Sequence, residues 1–146
     1  MKEPSENVIC FTVPYLTPVT GNHYKKPCKY VGKDGGLHLG FKITQAAKAY
    51  YAAVAIFARG RTVAPQTDAE LRKVKYSVRI DVFLGPRQRG DFDNFWKCGL
   101  DALVHCGVLH SDAAVDGETS KCVVHGDERE NPRTTYAVSR TERENG

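Results

Sequence analysis

From Lys73 to Val82 polar and apolar side chains alternate without a break, with Val74, Tyr76, Val78, Ile80 and Val82 against Lys73, Lys75, Ser77, Arg79 and Asp81. Successive side chains of an extended chain point to opposite faces, so the stretch predicts a strand with one buried and one wet face. A different periodicity governs Ile43, Ala46, Ala47, Tyr50, Val54, Phe57 and Ala58, which recur at spacings of three and four. This predicts an amphipathic helix that turns its tyrosines to the core, with Thr44 as its N-cap and Gly60 just past its end. A second helix is predicted from about Asp93 to Cys106, capped by Asp93 and stopped at Gly107. Phe95 and Trp96 are neighbours on it and cannot both face one surface, which assigns them to packing.

The remaining segments are shorter. Val8 to Val13 is rich in strand formers and is stopped by Pro14 and Pro18. Lys121 to His125 and Thr134 to Ser139 read as two strands joined by a charged turn, with Asp116-Gly117 a turn before the first of them. Residues 141–146 form a polar tail. Between Thr20 and Gly40, Gly21, Gly32, Gly35, Gly36 and Gly40 stand among lysines and aromatics, which predicts a long irregular loop suited to touching a substrate. The resulting order β-α-β-α-β-β describes a single α/β domain, a mixed β-sheet flanked by two main helices. A length of 146 residues with 41% hydrophobic content suits one such core.

Charge adds a preference for anionic partners. The net charge is +4, and from Val19 to Lys48 six lysines face the single acid Asp34. A second stretch, Arg72 to Gly90, sets six basic residues against Asp81 alone. Such stretches can form a phosphate-facing surface or a solvated charged face. The five cysteines are odd in number and lack a C-x-x-C pair, so reduced thiols are expected. Cys98, His105, Cys106 and His110 are the nearest approach to a zinc set, but helical spacing assigns the cysteines to packing. No stretch is long and apolar enough for a membrane span and the start carries no leader pattern, which predicts a cytoplasmic protein. Gly35-Gly36 lacks the Lys-Ser/Thr ending of a phosphate loop, so no nucleotide cofactor is expected.

The segment with chemistry in it is R-Q-R-G-D-F-D-N-F-W-K, from Arg87 to Lys97, at the junction of the alternating strand and the second helix. Carboxylates two apart on an extended chain point the same way, so Asp91 and Asp93 can converge on one point. Their mutual repulsion becomes an advantage when a hard divalent cation binds, since magnesium takes a few carboxylate oxygens together with water and phosphate. Lys97 follows Asp93 by one helical turn and would reach a phosphate held there. Asp112, in a loop after the helix, is the third acid. The competing reading of the same residues is capping and surface pairing, with Lys97 bonded to Asp93 or Asp101.

This order of residues resembles the RusA family of Holliday junction resolvases. The shared features are Arg87 and Arg89, then Asp91-Phe92-Asp93-Asn94, Lys97, Asp101-Ala102-Leu103, and Asp112 with Val115. A fainter likeness extends to the flanking strands and to Asn22-His23-Tyr24. Ser111 stands where the family commonly has Asp, Ala114 where a polar residue is frequent, and Gly90 separates the basic pair from the first acid. The resemblance implies that Asp91, Asp93 and Asp112 bind Mg2+, with Mn2+ as a substitute. It also implies that Lys97 is catalytic, that Asn94 helps orient the site, and that the protein is a homodimer resolving four-way DNA junctions by paired nicks. Arg87, Arg89, Asn22, Lys25 and Lys26 would contact DNA. A phage or prophage recombination role is in keeping with this. Two alternatives are a non-catalytic dimeric protein that binds branched DNA, and another magnesium-dependent phosphodiesterase acting on RNA.

Overall fold

The structure, a computed structural model, describes residues 8–19, 25–63, 69, 72, 74–86, 88, 92–126 and 131–142, the side chains of residues 92–94 and 142 excepted. Along the chain these form β1 (Val8–Pro14), β2 (Lys25–Val31), β3 (Leu37–Ile43), α1 (Gln45–Ala58), β4 (Val74–Phe83) and α2 (Phe92–His105). A 3-10 turn (Asp112–Ala114), β5 (Lys121–His125) and β6 (Arg133–Glu142) complete them.

Four strands make one mixed sheet in the order β1-β6-β4-β5. Its β1–β6 and β6–β4 pairs are antiparallel, and β4–β5 is parallel, with Arg79 opposite Lys121 and Phe83 opposite His125. A parallel pair cannot be joined by a tight turn and needs a crossover. Here α2 is the body of that crossover, so it runs antiparallel to β4 and carries the chain back to the end where β4 began. The fold is the mixed α/β domain that the periodicities predict.

Strand β4 alternates as its sequence requires. Val74, Tyr76, Val78, Ile80 and Val82 are buried, while Lys75, Ser77, Arg79, Asp81 and Phe83 occupy the open face. Both helices pack on the buried face. Tyr50 of α1 meets Tyr136 of β6 hydroxyl to hydroxyl, and Tyr51 lies 5.0 Å, ring to ring, from His105 of α2. Gly99 lets α2 approach the sheet, since an added Cβ there would come 2.9 Å from Ile80 Cδ1. Helix α1 starts as expected, with Thr44 Oγ1 accepting the N–H of Ala47 at 3.3 Å. It ends with Arg59 and Gly60 both at positive φ, a left-handed exit that glycine enters without strain. No helix among the described residues is long and apolar enough to cross a membrane.

Three expectations need correction. Thr141 and Glu142, expected in the polar tail, are the last residues of β6 and pair with Lys75 and Val74. The loop anticipated from Thr20 to Gly40 contains β2 and most of β3, which pair as a separate antiparallel ribbon around a turn at residues 32–36. Most ribbon residues are exposed on both faces, so no buried side imposes the alternation by which strands are recognised in a sequence. Asp93 is not the cap of α2. The helix already includes Phe92, which puts Asp93 inside its first turn.

Candidate functional site

The C-terminal end of β4 and the N-terminal end of α2 lie at the same edge of the β4-α2-β5 unit. The first turn of a helix has backbone N–H groups without intrahelical partners and a partial positive charge. A helix N-terminus at the carboxyl end of parallel strands is therefore a place where anionic groups can be held. Asp93 and Asn94 belong to the first turn of α2, and Lys97 follows Asp93 by one turn on the same helix face. Lys97 is exposed, with Nζ 3.3 Å from Asp101 Oδ1 one turn further on. Asp91, Arg87, Arg89 and Asn22 lie outside the described residues, as do the side chains of Asp93 and Asn94. The strand-type alternation invoked to converge Asp91 and Asp93 does not apply at Asp93, which is helical.

Asp112 occupies a different edge. It begins the 3-10 turn and is exposed, with Ser111 Oγ accepting the N–H of Ala113 at 3.0 Å. This turn is tied to the beginning of β4. The Lys75 ammonium donates to the Ala113 carbonyl, Val115 bridges Tyr76, and the N–H of Asp116 donates to the Tyr76 carbonyl at 2.9 Å. Ala114 is buried beneath it. From Asp93 to His105 the helix rises roughly 18 Å, and the turn that carries Asp112 packs where β4 begins, at the end of the unit away from Asp93. Within one chain the structure does not bring Asp112 to Asp93. The cause is topological, because a crossover helix spans the height of the strands it connects and holds the residues at its two ends apart.

Among the described residues no three His, Cys, Asp or Glu side chains are grouped to hold a metal ion. Cys98 is buried and its Sγ accepts the N–H of Val19 at 3.3 Å. Burial pushes its thiol up to about 12, so it stays protonated and packs as an apolar group.

A polar cluster that the sequence did not single out occupies the open sheet face. Asp81 accepts from Arg79 Nε at 2.8 Å and Nη2 at 3.1 Å, and pairs with His125 Nε2 at 2.8 Å. Beside it the His125 ring stacks on Phe83 at 4.4 Å, and the Arg133 guanidinium lies 3.8 Å from the centre of the Phe83 ring. Alternation along β4 puts Arg79, Asp81 and Phe83 on one face, but His125 joins them only through the parallel register with β5. Lys25 and Lys26, expected at DNA, begin β2 of the exposed ribbon.

Comparison of the chain with protein-family models and with curated proteins finds no match to either.

Proposed function

We propose that this chain is a magnesium-dependent, structure-selective DNA endonuclease that resolves four-way or other branched DNA by paired nicks. The observation that carries the reading is the position of Asp93-Asn94 and Lys97. An acid, a carboxamide and, one turn on, an ammonium group follow one another at the N-terminus of α2, at the carboxyl edge of a parallel strand pair.

The donor set suits the metal. Asp91 and Asp93 offer hard carboxylate oxygens, and the sequence before them carries Arg87 and Arg89 rather than further acids. Magnesium bound there would supply Lewis acidity at the scissile phosphate and a lowered pKa for the attacking water. The protein's own groups do the rest. The free N–H groups of the α2 first turn hold a phosphate oxygen, and Asn94 orients the acids beside it. Lys97 leaves Asp101 to place fixed positive charge where negative charge grows on the leaving oxygen. Arg87, Arg89, Lys25 and Lys26 hold the backbone on either side of the cut.

Asp112 enters this site from a second protomer. One chain keeps it a helix length from Asp93, and a two-fold homodimer offers the arrangement in which the far end of α2 in one copy meets the near end in the other. The same separation favours one other reading, a dimeric protein that binds branched DNA without cutting it.

The experiment is incubation of a labelled four-way junction with the protein in magnesium and in chelator, alongside Asp93→Asn. Nicked duplexes should form with magnesium and the unmodified protein alone, while Asp93→Asn still shifts the junction in a gel. Binding without cleavage under every condition would establish the non-cutting reading instead.

A further inference from the structure

The ribbon of β2 and β3, of which the nuclease reading uses only Lys25 and Lys26, carries a further feature on one face. Lys25, Pro27, Lys29 and Val31 share one face with Ile43, Phe41, Leu39 and Leu37, their cross-strand partners. The other face carries Lys26 opposite Lys42, Cys28 opposite Gly40, and Tyr30 opposite His38. On this second face the rings of Tyr30 and His38 stack at 5.5 Å with 23° between their planes. Both lie flat across the ribbon because glycines leave room for them. A Cβ at Gly40 would come 2.9 Å from Tyr30 Cε1, and one at Gly32 would come 2.5 Å from the His38 ring. His38 is further fixed by Asp34, its Nε2 lying 3.0 Å from Oδ1. Tyr30 as a residue remains half exposed.

Next to this aromatic floor stands a pair that is unfavourable by itself. Lys26 and Lys42 face each other directly across the two strands, are exposed, and form no ion pair with any described residue. Like charges directly opposite destabilise a ribbon, and an anion bound between them relieves the repulsion. Tyr30 leans back over Gly40, the rung next to the lysines, and rungs on one face are roughly 7 Å apart. That distance is of the order of one nucleotide step, so a base on the tyrosine and its neighbouring phosphate between the ammonium groups fit together. Stacking platforms beside lysines are how unpaired strands are held without sequence preference.

We infer that this face of the ribbon binds single-stranded DNA, with an unpaired base stacked on Tyr30 and the adjoining backbone phosphate held between Lys26 and Lys42. The inference rests on the DNA-binding part of the proposed function and not on its chemistry. Charge favours this partner over a second copy of the chain. The face itself carries Lys26 and Lys42 and no acid on its strands, so two copies of this face repel. A lipid surface fits less well, because the ribbon ends in the polar turn Gly32-Lys33-Asp34-Gly35-Gly36.

The test is fluorescence anisotropy of a labelled oligothymidylate in chelator, where no cleavage occurs. The full-length protein is compared with Tyr30→Ala, Gly40→Val and Lys26→Ala/Lys42→Ala, each checked for an unchanged melting temperature and mass. Tyr30→Ala and Gly40→Val should weaken binding roughly tenfold. The double lysine variant should lower the slope of log K against log salt by about 0.7, the loss of one neutralised phosphate on a single strand. Affinities and slopes equal to those of the unmodified protein would overturn the inference, as would a fall in mass with Tyr30→Ala, which would make the face a contact between copies. A protein that binds the oligonucleotide as described but never cuts a junction leaves the inference standing and removes the nuclease reading. One that cuts junctions while every ribbon variant binds normally does the reverse.

Discussion

Lys97 is held by Asp101 across one helical turn, and more than half of its side chain is exposed. An exposed pair of this kind contributes under about 1 kcal/mol, so releasing it to a phosphate costs little. Lys97→Met should therefore leave the melting temperature within about 3 °C of the unmodified protein. The rate of junction cleavage should fall about a hundredfold or more, since a fixed charge at the developing oxyanion is lost. A variant that cuts at the normal rate would remove Lys97 from the mechanism. Asp81 makes a different kind of prediction. Burial raises its pKa, but hydrogen bonds from Arg79 and His125 lower it further than burial raises it, leaving the carboxyl below its usual value. A depressed carboxyl contributes stability above its unfolded pKa of about 3.9 and loses that contribution as pH falls through the folded value. In denaturant unfolding Asp81→Asn should be about 1–2 kcal/mol less stable at pH 7, with the gap narrowing below about pH 4. A gap of constant size down to pH 2.5 would contradict the pairing.

At the scale of elements, what the sequence discloses depends on whether an element has a buried side. Strand β4 and helix α1 are legible because each buries one face, and burial is what writes a period of two or of three to four into the residues. The ends of α1 are legible for a separate reason, since Thr44 and Gly60 have local chemistry that acts wherever the helix is packed. The ribbon escapes because Val31, Leu37, Leu39 and Phe41 are exposed and its opposite face is polar and aromatic, so no face is marked as inside. Its glycines look like signs of irregularity. Two of them, Gly32 and Gly40, instead make room for His38 and Tyr30, a role that depends on cross-strand register and so on structure not yet formed. The expected start of α2 falls one residue late, because Asp93 suits both a cap and a first-turn acid beside a helix N-terminus.

For the whole molecule, topology decides what proximity in sequence cannot. The segment from Arg87 to Lys97 stands out as a candidate site in the sequence because its acids and lysine are adjacent in the chain. Asp112 is only 15 positions after Lys97, yet the crossover direction of α2 carries it to the opposite edge, and that direction is set by the parallel pairing of β4 with β5. A site shared between protomers then has a particular signature. Asp93→Asn and Asp112→Asn should each be inactive as pure proteins, and unfolding and refolding them together should restore part of the activity, because one site of each mixed dimer keeps both acids. Failure of the mixture to recover would assign Asp112 no part in a shared site. The claim on which the rest depends is that the N-terminus of α2 binds a divalent cation, and paramagnetic Mn2+ added to isotopically labelled protein reads this without any substrate. Substoichiometric Mn2+ should broaden the amide signals of residues 93–97 first, and Asp93→Asn should abolish the effect. Broadening spread evenly over the surface acids, and unchanged in Asp93→Asn, would contradict the claim.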